Sequence, residues 1–228
     1  MVLLLKSSLL LSACLGLAIA AAVPRYDEFE WEQGMINRRS NVDIKAELET
    51  DDKGAIGGKC ASIMVVFARG TTEVAPLGTI VGPPLEDALM AMAGKKDVKV
   101  MGVDYPADVA GFLAGGDAGG SNMMAQMVKA TVKSCPKSKV AMVGYSQGGQ
   151  LVHNAAAELD ASTAARVSSA VIFGDPDFPK PIPKIAENKQ KVFCAKGDAI
   201  CQGQALILPP HLSYGSDTPA AAEFIMAN

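Results

Sequence analysis

Residues 139–156 read "KVAMVGYSQGGQLVHNAA". An apolar run of strand character meets Gly144-Tyr145-Ser146-Gln147-Gly148, and an amphipathic stretch follows. Where a strand turns this tightly into a helix, side chains do not fit at the flanks of the turn, so glycines fill them. The central serine then projects above the carboxyl edge of a sheet, and the N–H of the next residue, Gln147, points at any oxyanion formed there. An ordinary serine in a glycine-rich turn is the alternative, and the strand-to-helix setting argues for a nucleophile.

Outward from this turn the pattern alternates over residues 59–228. "ASIMVVFARG" is a buried strand, "PPLEDALMAMAG" a helix opened by prolines, and "DVKVMGVDYPA" a second strand. "GSNMMAQMVKATVKSC" is a helix whose methionines read as core filler rather than a metal or cofactor box. "SKVAMVG" is the third strand, while "RVSSAVIFGDPD" and "KQKVFCAKGD" give a fourth and a fifth, and "TPAAAEFIMAN" closes as a helix. Strands alternating with helices predict a five-stranded parallel sheet covered on both faces, an α/β three-layer sandwich.

A serine nucleophile needs a base, and the chain has only two histidines, His153 and His211. His153 follows Ser146 by two helical turns, on the order of 10 Å at ~1.5 Å per residue, beyond the ~3 Å that proton transfer requires. It reads as a structural or surface histidine. His211 lies in the proline-stiffened "LILPPHLSYG" after the last strand, where a loop can fold back over the sheet edge, so it becomes the base. The acid has three candidates. Asp175 and Asp177 follow the fourth strand, and Asp198 follows the fifth between Cys194 and Cys201. A short local disulfide there would fix a carboxylate that orients an imidazole, which favours Asp198. After the first strand, Thr71 in "FARGTTE" either completes an oxyanion hole with Gln147 or caps a turn.

The N-terminus has Lys6, an apolar core and the small residues Ala18-Ile19-Ala20, the layout of a secretory signal over residues 1–20, cut near Ala20 or Ala22. An uncleaved membrane anchor is the alternative, but the run is short for a span and lacks a basic flank. Residues 21–58 are polar and charged, hold the lone Trp31, and read as a leader or propeptide with Arg38-Arg39 as a processing site. A short helix packed on the domain surface is the other reading. Loss of the signal would take Cys14 with it and leave Cys60, Cys135, Cys194 and Cys201, an even number that suggests two disulfides with three possible pairings. Hydrophobic residues make up 49% and charged residues 20%, and the net charge of −3 carries no basic run, which argues against a nucleic-acid partner. Stable membrane insertion is not expected beyond the first segment.

Four marks, in order, resemble the fungal cutinase family: Ala68-Arg69-Gly70-Thr71-Thr72-Glu73, Gly144-Tyr145-Ser146-Gln147-Gly148, the segment from Cys194 through Asp198 to Cys201, and Pro210-His211-Leu212-Ser213-Tyr214-Gly215. The resemblance covers roughly Cys60 to the C-terminus. It implies an α/β-hydrolase-type domain with Ser146, Asp198 and His211 as a triad and Thr71 with Gln147 as the oxyanion hole. It also implies disulfides Cys60–Cys135 and Cys194–Cys201, and no metal or organic cofactor. Many cutinases carry serine where this chain has Thr71, a change that keeps the hydroxyl. The expected substrates are cutin, an insoluble plant polyester, and short-chain esters, acted on by a secreted monomer. Acetylxylan esterases share the elbow and the disulfide framework, so deacetylation of xylan is the alternative. A non-catalytic secreted surface-binding protein on the same scaffold is a more distant one. Apolar Val109, Phe112, Leu113, Leu206, Ile207 and Leu208 are expected to line the cleft and lean toward an acyl chain. The segments between Tyr105 and Ser121 and between Cys201 and His211 are too short for a covering helix, so the domain is expected to be lidless, with a shallow, solvent-accessible Ser146.

Overall fold

The structure, a computed structural model, describes residues 59–94 and 96–228. The expected signal segment and leader lie outside the described residues.

Strands β1 (Ile63–Ala68), β2 (Val98–Gly102), β3 (Lys139–Tyr145), β4 (Val167–Phe173) and β5 (Gln190–Phe193) form one sheet in the order β2-β1-β3-β4-β5. Every neighbouring pair is parallel. β1 shows why the central strands read as unbroken apolar runs. Ile63, Val65 and Phe67 enter the core on one face, and Met64, Val66 and Ala68 enter the core on the other. Side chains alternate along a strand, so a strand covered on both sides needs apolar residues at every position. Each large buried side chain contributes about 2 kcal/mol from removal of its surface from water.

Helices α1 (Gly82–Ala93) and α6 (Thr218–Ala227) pack together over the first face, with Leu85, Leu89, Ala221 and Ile225 in the core. Helices α3 (Ala118–Ser134) and α4 (Gln147–Glu158) cover the second face, where Met123, Met124 and Met127 meet Leu151 and Val152. The methionines are packing residues, as their spacing predicts. The result is the expected three-layer sandwich. Two short helices escape the sequence pattern: α2 (Val109–Leu113) and α5 (Ala161–Arg166). Both are too short to show a period, and each is started by an aspartate cap, Asp108 to the Gly111 N–H and Asp160 to the Thr163 N–H.

Disulfides join Cys60 to Cys135 and Cys194 to Cys201, the pairing the resemblance implies. Among the described residues no helix is long and apolar enough to cross a membrane. Because all five strands run the same way, their carboxyl ends share one edge. The loops after β1, β3, β4 and β5 therefore converge there, where ligand sites of open parallel sheets form.

Candidate active site

Ser146 ends β3 and begins α4 with φ 56° and ψ −120°. A non-glycine residue with positive φ is strained, and such strain concentrates at functional turns. The flanking glycines leave no choice of residue: a Cβ on Gly144 would lie 2.2 Å from the Gly148 carbonyl oxygen, and one on Gly148 would lie 2.0 Å from the Ala68 oxygen. The Ser146 N–H donates to the Phe173 carbonyl at 2.9 Å, tying the elbow to the end of β4. One expectation needs correction. Ser146 is only 4% exposed, not broadly accessible, because His211 packs against its hydroxyl and cleft walls rise beside it.

His211 sits in a 3-10 turn, Pro209–Leu212, and is 1% exposed. Its Nε2 lies 2.9 Å from Ser146 Oγ, and its Nδ1 lies 2.8 Å from Asp198 Oδ2. Asp198, also 1% exposed, accepts the Ile200 N–H on Oδ1 at 2.9 Å. A hydroxyl that the sequence reading missed, that of Tyr214, donates to Asp198 Oδ2 at 2.6 Å and accepts the Ala195 N–H at 2.9 Å. Its place in the Pro210–Gly215 mark, three residues after His211, was the available signal. Tyr145, just before the serine, stacks on the His211 ring with centroids 5.2 Å apart and donates its hydroxyl to the His211 carbonyl at 2.9 Å. Burial holds the phenols of both Tyr145 and Tyr214 above their usual range, and the hydrogen bond to Asp198 adds to this for Tyr214.

The loop after β1 is held by two charged residues whose roles were not legible. Arg69 is buried and donates to the carbonyls of Glu73 at 2.8 Å, Val103 at 3.3 Å and Tyr105 at 2.6 Å, while its guanidinium lies 4.9 Å from the centre of the Tyr105 ring. The Glu73 carboxylate accepts the N–H groups of Gly70, Thr79 and Ile80 at 2.8–2.9 Å. Thr71 is thereby fixed beside the elbow, where its Oγ1 accepts from the Gln147 side-chain amide at 2.9 Å. An oxygen that accepts there keeps its own proton for another partner. The Gln147 backbone N–H, first in α4, has no intrahelical acceptor.

A cleft of about 220 Å³ opens beside these groups, lined by Thr71, Val109, Phe112, Leu113, Ser146, Ile200, Ala205 and Ile207. Four of the six expected apolar residues are present. Leu206 and Leu208 are not, and Ala205 and Ile200 take their place. Residues 205–208 run without helix or turn, so alternate side chains face opposite ways and Ala205 and Ile207 share the cleft side. The other acid candidates lie elsewhere. Asp175 pairs with His153 at 3.0 Å, and Asp177 pairs with Lys180 at 2.7 Å. His153 is a structural histidine, buried rather than on the surface.

A parallel sheet with a serine elbow at its carboxyl edge, beside an imidazole and a carboxylate in line, defines the α/β-hydrolase class. Within it the chain belongs to the cutinase family, enzymes that hydrolyse carboxylic esters; the Cutinase family model matches residues 59–228. A cutinase of Botryotinia fuckeliana is 56% identical over 73% of this chain and 82% of its own length. A Trichoderma reesei cutinase, solved in complex with a C11Y4 phosphonate inhibitor, superposes with TM-score 0.72 at 37% identity, covering 90% of this chain and 92% of its own. An acetylxylan esterase at 23% identity shares the fold, with TM-score 0.60 over 74% of this chain and 99% of its own.

Proposed function

We infer that the protein is a secreted serine esterase acting on cutin and on short-chain esters, with Ser146 as nucleophile, His211 as base and Asp198 as the acid. The observation that carries this reading is the unbroken path from Ser146 Oγ to His211 Nε2 and from His211 Nδ1 to Asp198 Oδ2.

Ser146 Oγ attacks the ester carbonyl carbon while His211 Nε2 takes the hydroxyl proton. Asp198 accepts the Nδ1–H, which fixes the tautomer that leaves Nε2 free to act as base, and it stabilises the imidazolium that forms. Negative charge on the carbonyl oxygen is met by the Gln147 N–H and by the N–H and hydroxyl of Thr71. The imidazolium returns its proton to the departing alcohol, leaving Ser146 acylated. Water gives a proton to His211 as it attacks the acyl carbon, and the imidazolium passes that proton to Ser146 Oγ as the acid departs. The apolar cleft supports an acyl chain as the group bound beside the serine. The N-terminal layout around Lys6 and the two closed disulfides support secretion.

Ser146→Ala should lower turnover of a nitrophenyl butyrate by ~10⁴-fold or more with the fold retained. Most activity surviving in that variant would end the proposal. Rates on cutin, tributyrin and acetylated xylan, compared on the unaltered protein, assign the substrate. Faster deacetylation of xylan than cutin hydrolysis would replace the polyester with the carbohydrate ester.

A further inference from the structure

Residues 108–116 form one wall of the cleft through Val109, Phe112 and Leu113, yet almost nothing apolar holds them down. The only buried residues in this stretch are Gly111 and Gly116, which have no side chains, while Leu113 is 69% exposed. A helix of five residues such as α2 does not sustain itself in water. What does reach this segment is a row of side-chain amides from α4. Gln147 Nε2 donates to the Asp108 carbonyl at 2.7 Å, Gln150 Nε2 to the Phe112 carbonyl at 3.2 Å, and Asn154 Nδ2 to the Gly115 carbonyl at 2.9 Å. The three donors are spaced at i, i+3 and i+7, one stripe along a helix. The three acceptors advance in step along the wall. Position 116 favours glycine through its φ of +105°, and a Cβ there would also lie 3.0 Å from Gln150 Cβ and 2.9 Å from Asn154 Nδ2. The first rung, Gln147, also donates to Thr71 Oγ1, so the same stripe links the wall to the loop beside the serine.

We propose that the amides of Gln147, Gln150 and Asn154 clamp residues 108–116 into a fixed cleft wall, making Gln150 and Asn154 positioning residues for the acyl chain. The inference rests on the esterase reading above. With the clamp in place the wall is already in its binding position, and an acyl chain that packs on Phe112 and Leu113 does not have to order it. An acetyl group is too small to use that wall. Loss of a rung therefore weakens binding of longer acyl chains and spares the chemistry at Ser146.

The test uses the full chain with Gln150→Met, which keeps the bulk and removes the donor, Asn154→Ala, and the double variant. Hydrogen exchange of peptides spanning 108–116 should speed up roughly fivefold per lost rung, the equivalent of one net hydrogen bond. Exchange in β3 and the rest of α4 should not change. KM for a nitrophenyl hexanoate should rise by a similar factor at constant kcat, while kcat/KM for the acetate stays level. Unchanged exchange at 108–116 in the double variant overturns the clamp, and equal losses on acetate and hexanoate overturn the positioning role. Failure of the unaltered protein to cleave any ester would instead sink the esterase reading, and exchange alone would then decide whether the clamp exists.

Discussion

His153 Nε2 lies 3.0 Å from Asp175 Oδ2, and both side chains are buried. The other Asp175 oxygen accepts the Asp177 N–H at 2.9 Å, so this carboxylate is fully engaged away from His211. Removing its partner takes a hydrogen bond from a buried carboxylate, and the amide of a glutamine restores it only in part. His153→Gln should therefore cost roughly 1–3 kcal/mol of stability, yet keep kcat within about threefold. His211→Gln should lose turnover by ~10⁴-fold or more, with a loss of stability comparable to that of His153→Gln, because His211 is likewise buried against a carboxylate. Urea unfolding and one ester assay on both variants check this. A His153→Gln protein that is stable but inactive would move the base to the other histidine.

Tyr214→Phe removes the hydroxyl that donates to Asp198 and leaves the Ala195 N–H without an acceptor. A hydrogen bond to a buried charged group is worth about 1.5–3 kcal/mol, and a loss of stability in that range is expected. Turnover should fall by roughly tenfold, because Asp198, the proposed acid, is less firmly held. Unfolding midpoints and kcat measured side by side test both parts. An unchanged kcat would reduce Tyr214 to a packing residue.

The phenols of Tyr105, Tyr145 and Tyr214 are all raised above their ordinary value, chiefly by burial. The folded state thus holds these protons more tightly than the unfolded chain does. Their contribution to stability is complete below the unfolded pKa of about 10, and it is lost as pH climbs through and above that value. In a Tyr26→Phe background, tyrosinate absorbance should stay flat near pH 10 and appear only together with loss of circular dichroism. Reversible ionisation near pH 10 in the folded protein would contradict it.

The two disulfides should separate by function. Cys60–Cys135 spans 75 residues of sequence, against 7 for Cys194–Cys201. Chain entropy assigns them about 4.5 and about 2.4 kcal/mol. Paired replacement of Cys60 and Cys135 by serine should lower the unfolding midpoint more. Replacement of Cys194 and Cys201 should lower kcat more, since Asp198 lies inside that loop. Thermal melts and turnover of the two double variants decide the ranking.

The strands were legible because burial on both faces writes itself as continuous apolar residues, as in "IMVVFA" of β1. The neighbourhood of Ser146, His211 and Asp198 was legible for a different reason: only two histidines exist, and helix geometry removed one. Side-chain bonds that cross between distant segments were not. Tyr214 to Asp198, Arg69 to Tyr105 and Gln150 to Phe112 join residues whose local sequences carry no period or motif for the contact. The side of the chain taken by Leu206 and Leu208 was also hidden, since a register of one residue decides it and no strand pairing fixes it in the sequence. Ser146 looked open because its own turn is exposed in principle; its cover comes from residues about 65 positions away.

The segment just before β1 and the end of α6 are tied to two adjacent residues. Ser138 Oγ donates to the Ala61 carbonyl at 2.5 Å, and Lys139 Nζ donates to the Met226 carbonyl at 2.9 Å. Lys139 opens β3 and Ser138 precedes it, so both contacts lie at the edge opposite Ser146, which follows the strand's end. A covalent handle placed at Asn228, or an attachment made ahead of Cys60, would therefore orient the protein on a bead or film with its cleft facing outward. A short peptide joining those ends, with the chain reopened in an exposed loop far from the cleft, is the natural layout for a circular permutant that keeps the reacting edge untouched.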